Sequence, residues 1–98
     1  MIRLSRQAER QVAALLRHYA RLGRPEAKHN LIAAIDDAVA RIERNPTAGL
    51  PAPRPYPTLA RPGRVWIKVR SYWVAYGTTN PPVILAVFYG TADMPGRI

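Results

Sequence analysis

Cysteine is absent from this 98-residue chain, which excludes a disulfide framework, a thiolate metal site and a cysteine nucleophile. Long apolar runs are missing too. The longest, Pro81 to Tyr89, has nine residues, about half of what a membrane helix needs. Near the N-terminus Arg3, Arg6, Glu9, Arg10 and Arg17 interrupt any apolar stretch, so no secretory signal is visible and a cytoplasmic location without membrane association is expected. Histidine is limited to His18 and His29, with no third ligand at metal spacing, and Gly90 and Gly96 do not form a phosphate loop. Neither a metal nor any other cofactor is expected.

Acidic residues are scarce: six face fifteen lysines and arginines, for a net charge of +9. Thirteen of those cations are arginine, whose planar fork suits phosphate and carboxylate. A GC-rich coding sequence would also favour arginine over lysine, but it does not account for the net charge. A chain this small and basic attracts polyanions: nucleic acid, a nucleoprotein machine or an acidic protein. Its length and its 48% apolar content fit one globular domain spanning residues 1–98.

Ten of fifteen alanines precede Gly49, whereas seven of eight aromatics and five of seven valines follow it. Alanine favours helix, and β-branched and aromatic residues favour strand, so helices come first and a sheet second. Met1 to Leu4 alternates and reads as a short edge strand. Ser5 is a suitable N-cap for a helix that runs to Gly23, a natural C′ residue. Within it Ala8, Val12, Leu15, Leu16, Tyr19 and Leu22 share one face, while Arg6, Arg10, Arg17, Arg21 and Arg24 stripe the opposite one. Pro25 opens a second helix, with Glu26 near its positive end, and Asn45-Pro46 stops it. Leu31, Ile35, Ala38, Val39 and Ile42 form its apolar face. So short a link forces an antiparallel hairpin, and apolar stripes wider than a two-helix seam require the hairpin to lie on a sheet.

Six of the ten prolines fall between Pro46 and Gly63, which predicts an extended, ordered crossover. Arg64 to Val69 then alternates, with Val65, Ile67 and Val69 on one face and Arg64, Trp66, Lys68 and the following Arg70 on the other. Tyr72 to Gly77 pairs with it through a turn at Arg70-Ser71. Val83 to Tyr89, apolar on both faces, reads as a central, fully buried strand, and Gly90 to Ile98 is a short tail. The expected fold is α+β: an N-terminal antiparallel helical hairpin packed on a three- to four-stranded, mainly antiparallel sheet.

Two surfaces stand out as candidate binding sites for a polyanionic partner. Arg64, Trp66, Lys68 and Arg70 make a basic-aromatic strand face of the kind that meets nucleic acid or an acidic partner, although an outward strand face also carries charge simply to stay wet. Arg10, Arg17 and Arg21 belong to the helical stripe, a pattern equally typical of a solvated face. Tyr72, Tyr76 and Tyr89 are expected in the core or lining a groove. Asp36 and Asp37, about 100° apart on the helix, are no carboxylate pair.

This ordered set resembles the RelE/ParE superfamily of bacterial toxins from type II toxin–antitoxin systems. The resemblance rests on Leu4-Ser5 and Ala8 at the first helix, and on Asn45-Pro46 and Gly49 after the second. It rests also on the run from Trp66 to Tyr76 as a basic strand, turn and aromatic strand, and on Val87 to Pro95 as closing strand and tail. It implies a heteromeric complex with a cognate acidic antitoxin. In the RelE-like branch, which cuts messenger RNA on the ribosome, hairpin and tail cations act with a C-terminal tyrosine. Lys68 stands at the hairpin lysine, but Trp73 and Ala92 stand where arginines would be, and the tyrosine has no counterpart. The resemblance therefore favours the ParE-like branch, which inhibits DNA gyrase and is a binding protein rather than an enzyme; Lys68 would be catalytic only in a ribonuclease. A third reading, a non-toxic binding module, rests on Tyr89 and Ala92, where ParE-like chains often carry histidine and arginine.

Overall fold

The computed structural model describes residues 2–54 and 56–90; the tail positions singled out above, Ala92 to Pro95 among them, lie outside the described residues. Element order is β1 (Arg3–Leu4), α1 (Arg6–Arg21), α2 (Pro25–Arg44), a 3₁₀ turn (Pro57–Leu59), β2 (Arg64–Val69), β3 (Tyr72–Gly77) and β4 (Val83–Tyr89). The four strands form one sheet in the order β1-β4-β3-β2, with β1 parallel to β4 and the other pairs antiparallel. The architecture is the expected helical hairpin on a mixed sheet.

The helix boundaries follow from their caps. Ser5 is the N-cap of α1 and its hydroxyl accepts the Ala8 amide at 3.1 Å. Gly23 ends the helix with φ +63°, a conformation glycine reaches without a Cβ penalty, and Pro25 occupies the first position of α2. The apolar faces of both helices meet the face of the sheet that carries Val69, Tyr72, Val74, Tyr76, Ile84 and Val87.

The opposite sheet face departs from expectation. It is not solvated: Trp66, Trp73, Ala75, Ala86 and Phe88 are buried there beneath Leu50, Tyr56 and Leu59 of the proline-rich crossover. The crossover thus supplies a second cover, and β3 is buried at all six positions. The strand expected to be fully buried, β4, leaves Val83 and Leu85 partly covered and Tyr89 exposed. Its outer edge runs past the two-residue β1, whereas β3 has a full strand on each side.

Six prolines remove six backbone donors from residues 46–63, so the crossover has more carbonyls than amides. Side chains make up the deficit. Arg64 Nη2 donates to the Leu59 carbonyl at 2.7 Å, and Arg61 Nη1 to Thr58 and Ala60 at 3.2 and 2.8 Å. The fully buried Tyr76 hydroxyl donates to the Pro46 carbonyl at 2.8 Å. One backbone ladder step helps: Leu50 and Trp66 exchange both hydrogen bonds at 2.7 Å.

Gly49 permits the tightest approach. A Cβ there would sit 2.8 Å from Val65 Cβ and 3.0 Å from the Tyr76 hydroxyl. Val65 Cβ is fixed to strand backbone and cannot swing aside, so Gly49→Ala is expected to lower stability by about 1–3 kcal/mol, read from the urea midpoint at unchanged m-value. A second expectation concerns the helix–sheet clamp. Tyr19 of α1 and Tyr72 of β3 join hydroxyls at 2.5 Å, both residues being buried. Burial, and then the bond to Tyr19, push the Tyr72 phenol well above the usual tyrosine value. The fold therefore holds this proton more tightly than the unfolded chain does. Its contribution is complete below about pH 10 and is lost as pH rises beyond it. Urea midpoints should fall as pH rises from about 10, and Tyr72→Phe should flatten that fall, while the contribution of Tyr76, whose phenol burial also raises, remains.

Candidate functional site

The sequence placed Arg64, Trp66, Lys68 and Arg70 on one outward face, and the structure distributes them among three roles. Trp66 is fully buried beneath the crossover, which corrects its assignment to a binding surface. Alternation did turn it away from the helices, but toward a second core and not toward water. Arg64 is half-buried with its guanidinium 5.5 Å from the Trp66 ring centroid, and its donor is engaged by Leu59. Burial and the neighbouring Arg61 lower its pKa. Arg70 leaves the face altogether: it occupies the β2–β3 turn with φ +54°, and its Nε meets Asp37 of α2 at 2.9 Å. That pair lies half in solvent and fixes turn to helix more than it stabilises.

Lys68 remains exposed on the outer sheet face. Its ammonium stands 5.4 Å from the centroid of the Trp73 ring, a cation–π geometry. A Cβ on Gly90 would come within 3.0 Å of the same nitrogen, so the charge is held where β4 ends. Arg41 Nη1 donates to the Lys68 carbonyl at 2.7 Å, capping that edge of β2. Among the described residues no imidazole or carboxylate is bonded to the ammonium. Stabilising a phosphorane and moving the 2′-OH proton require a set of such groups.

Arg10, Arg17 and Arg21 lie exposed along α1 as expected. Among the described residues the only ion pair is Arg70–Asp37, so these guanidiniums keep their charge toward solvent. Among the described residues, too, no three His, Cys, Asp or Glu side chains stand where they could hold a metal, and no described helix is long and apolar enough to cross a membrane.

One concavity was only partly foreseen. A groove of about 750 Å³ runs between the helical hairpin and the ends of β3 and β4. Leu15 and Tyr19 of α1 and its C-cap Leu22 line one wall and Tyr72 and Tyr89 the other. Tyr89 stacks edge-on to Tyr72 at 5.5 Å, and Leu22 and Tyr89 are 55% and 42% exposed. Arg24 and Arg70 stand in its lining with Glu26 as the acidic exception. Gln11, a polar residue on the flank of the α1 apolar stripe, also reaches into it and bonds the Val87 amide at 2.9 Å. A polar side chain between Ala8 and Leu15 in that stripe was the sequence signal for it.

With this geometry in place, the chain can be set beside known proteins. Among solved structures it is similar to a chain of the chromosomal ParDE toxin–antitoxin system of P. aeruginosa. The two share 19% identity at a TM-score of 0.66, over 90% of this chain and 92% of that one, a likeness of fold. No curated protein matches the chain. The family model described as the ParE toxin of the type II toxin–antitoxin system parDE matches residues 2–94. Such coverage spans both helices, the crossover and all four strands, and the chain therefore belongs to the ParE toxin family of type II toxin–antitoxin systems.

Proposed function

We propose that this toxin acts in the cytoplasm by binding and inhibiting DNA gyrase and that a cognate acidic antitoxin neutralises it. The observation that carries the choice of target is the setting of Lys68. Its ammonium rests on an indole beside Gly90, and the RelE-like positions that would supply further cations hold Trp73 and Ala92. An indole-bound ammonium with no bonded imidazole or carboxylate among the described residues suits a contact surface better than in-line cleavage of RNA. Lys68→Ala should then have a mild effect on growth arrest, because exposed single charges are worth about 1 kcal/mol or less. Induced wild-type chain should inhibit supercoiling by purified gyrase while messenger RNA stays intact on translating ribosomes. Loss of toxicity in Lys68→Ala alone, with messenger RNA cut and supercoiling unaffected by the wild type, assigns the chain to the ribonuclease reading instead. A chain that neither arrests growth nor inhibits gyrase but still binds its antitoxin is the non-toxic module.

Neutralisation follows from charge. Eight cations face five acids before Arg44, and from Arg44 onward seven face one. Arg10, Arg17 and Arg21 present an exposed row to any approaching acidic chain, and such rows act chiefly on encounter rate. Antitoxin association should slow by roughly tenfold between about 50 and 500 mM salt, as screening shortens to a few ångströms. Arg10→Glu, Arg17→Glu and Arg21→Glu together should lower the association rate at low salt while changing dissociation little. Stopped-flow measurement reads both, and an association rate indifferent to salt and to charge reversal removes the electrostatic account.

A further inference from the structure

A smaller pocket, sharing no lining residue with the groove, opens on the β2 side of the sheet. It measures about 190 Å³ and lies where the last turn of α2 meets β2 and β3. Arg41, Arg44 and the C-cap Asn45 supply its polar groups. Ile42, Ala48 and Ile67 form apolar walls, and Tyr76 completes the lining. The polar groups left free are donors. Arg41 is held in place by the bond from its Nη1 to the Lys68 carbonyl. Thr47 donates to Asn45 Oδ1 at 3.3 Å, which occupies that acceptor and leaves Nδ2 to donate. The Tyr76 hydroxyl is already committed to the Pro46 carbonyl. No carboxylate lines the pocket, and the one ion pair among the described residues is Arg70–Asp37. The negative end of α2 carries about half a charge, which offsets part of one guanidinium but not two.

We infer that this pocket receives one glutamate side chain of the toxin's target protein, its carboxylate on Arg41 and Arg44 and its methylenes against Ile42, Ala48 and Ile67. The identity of that target rests on the gyrase reading above; the site itself does not. Size and lining select the ligand. At about 30 Å³ for each water-sized atom the pocket holds roughly six, close to the heavy atoms of a glutamate side chain. Guanidinium forks accept carboxylate and phosphate alike. A phosphate, however, sets oxygen against the three apolar walls, whereas a carboxylate on a short aliphatic stem satisfies both ends. The choice of partner follows from continuity. Arg41 ties the pocket to the Lys68 carbonyl, so a partner seated on the Lys68 ammonium reaches the pocket by wrapping the β2 edge.

The test has one arm without gyrase and one with it. Sodium butyrate stands in for the glutamate side chain, and the side-chain Nε–H signals of ¹⁵N-arginine-labelled toxin report on Arg41 and Arg44. At constant ionic strength butyrate should shift both saturably, half-maximally at about 10 mM. Inorganic phosphate should bind at least about fivefold more weakly, and Arg44→Gln should abolish saturation. Arg44 is the residue to change because Arg41 also holds β2. In the supercoiling assay Arg44→Gln should raise the half-inhibitory toxin concentration at least about fivefold, and Arg44→Lys less. Arg54→Gln, an equal loss of charge at an exposed crossover position, should raise it less than about twofold. Shifts no larger with butyrate than with chloride overturn the site and leave gyrase inhibition standing. Phosphate binding as tightly as butyrate overturns the carboxylate and assigns the pocket to a nucleic-acid phosphate. A butyrate site in a toxin that does not inhibit gyrase overturns gyrase as the source of the glutamate, and so does equal inhibition by the Arg44→Gln and Arg54→Gln variants.

Discussion

A segment in which proline removes six backbone donors has to be held in part by side-chain donors, and residues 46–63 are such a segment. The prolines leave carbonyls of the crossover without amide partners, and Arg61, Arg64 and Tyr76 reach over to fill them. Only once it is anchored in this way can Leu50, Tyr56 and Leu59 lie across Trp66, Trp73 and Phe88. Without that cover, two indoles and a phenyl ring would face water, at about 1.5–3 kcal/mol for each large apolar side chain. The helical hairpin buries the other face by ordinary amphipathic packing. The dry state of β3 on both faces thus depends on guanidinium and phenol donors as much as on apolar area.

This dependence changes how the arginine content reads. In sequence, net charge and arginine excess pointed outward to a polyanionic partner. In the fold the basic residues divide. Arg41, Arg61 and Arg64 work inward on carbonyls, Arg70 is tied to Asp37, and Arg10, Arg17 and Arg21 remain toward solvent. Among these residues the solvent-facing arginines are therefore concentrated on α1 and not on the hairpin strand, whose remaining exposed ammonium is Lys68. Carbonyl capping requires no net charge, so that part of the arginine excess has a structural cause that composition alone could not separate from a functional one.

The elements themselves were legible because their boundaries are local events. Ser5, Gly23, Pro25 and Asn45-Pro46 begin and end the helices through capping and through proline's missing amide. The valine-isoleucine alternation of Arg64–Val69 set its strand phase correctly. Illegible were the facts that belong to two segments at once. Period-two alternation says that Trp66 faces away from Ile67, but not whether that side is wet. The answer lies in Leu50 and Leu59, which come earlier in the chain and carry no pattern of their own. Arg70 follows the strand phase by position, yet its left-handed turn redirects the side chain to Asp37, a partner 33 residues away. The groove likewise required knowing that β1 stops at Leu4 while β4 continues to Tyr89.

That mismatch in strand length joins the fold to its biology. A two-residue β1 is enough to anchor the N-terminus, because Ser5 immediately caps α1 and spends its amide and hydroxyl on β4. A longer β1 would close the sheet edge but would carry the start of α1 along β4, into the space where Leu15, Tyr19 and Leu22 now form a wall. The shortness of β1 therefore leaves, among the described residues, the groove and a far end of β4 paired on one side together. An exposed edge is a liability for a basic protein at rest, since any extended chain can pair with it. The Gln11 amide reduces that liability by satisfying Val87 from within the fold, at the strength of a single side-chain bond. A bond of that kind accepts from the Val87 N–H, so a backbone competing for it would have to bring a carbonyl acceptor beside the apolar wall.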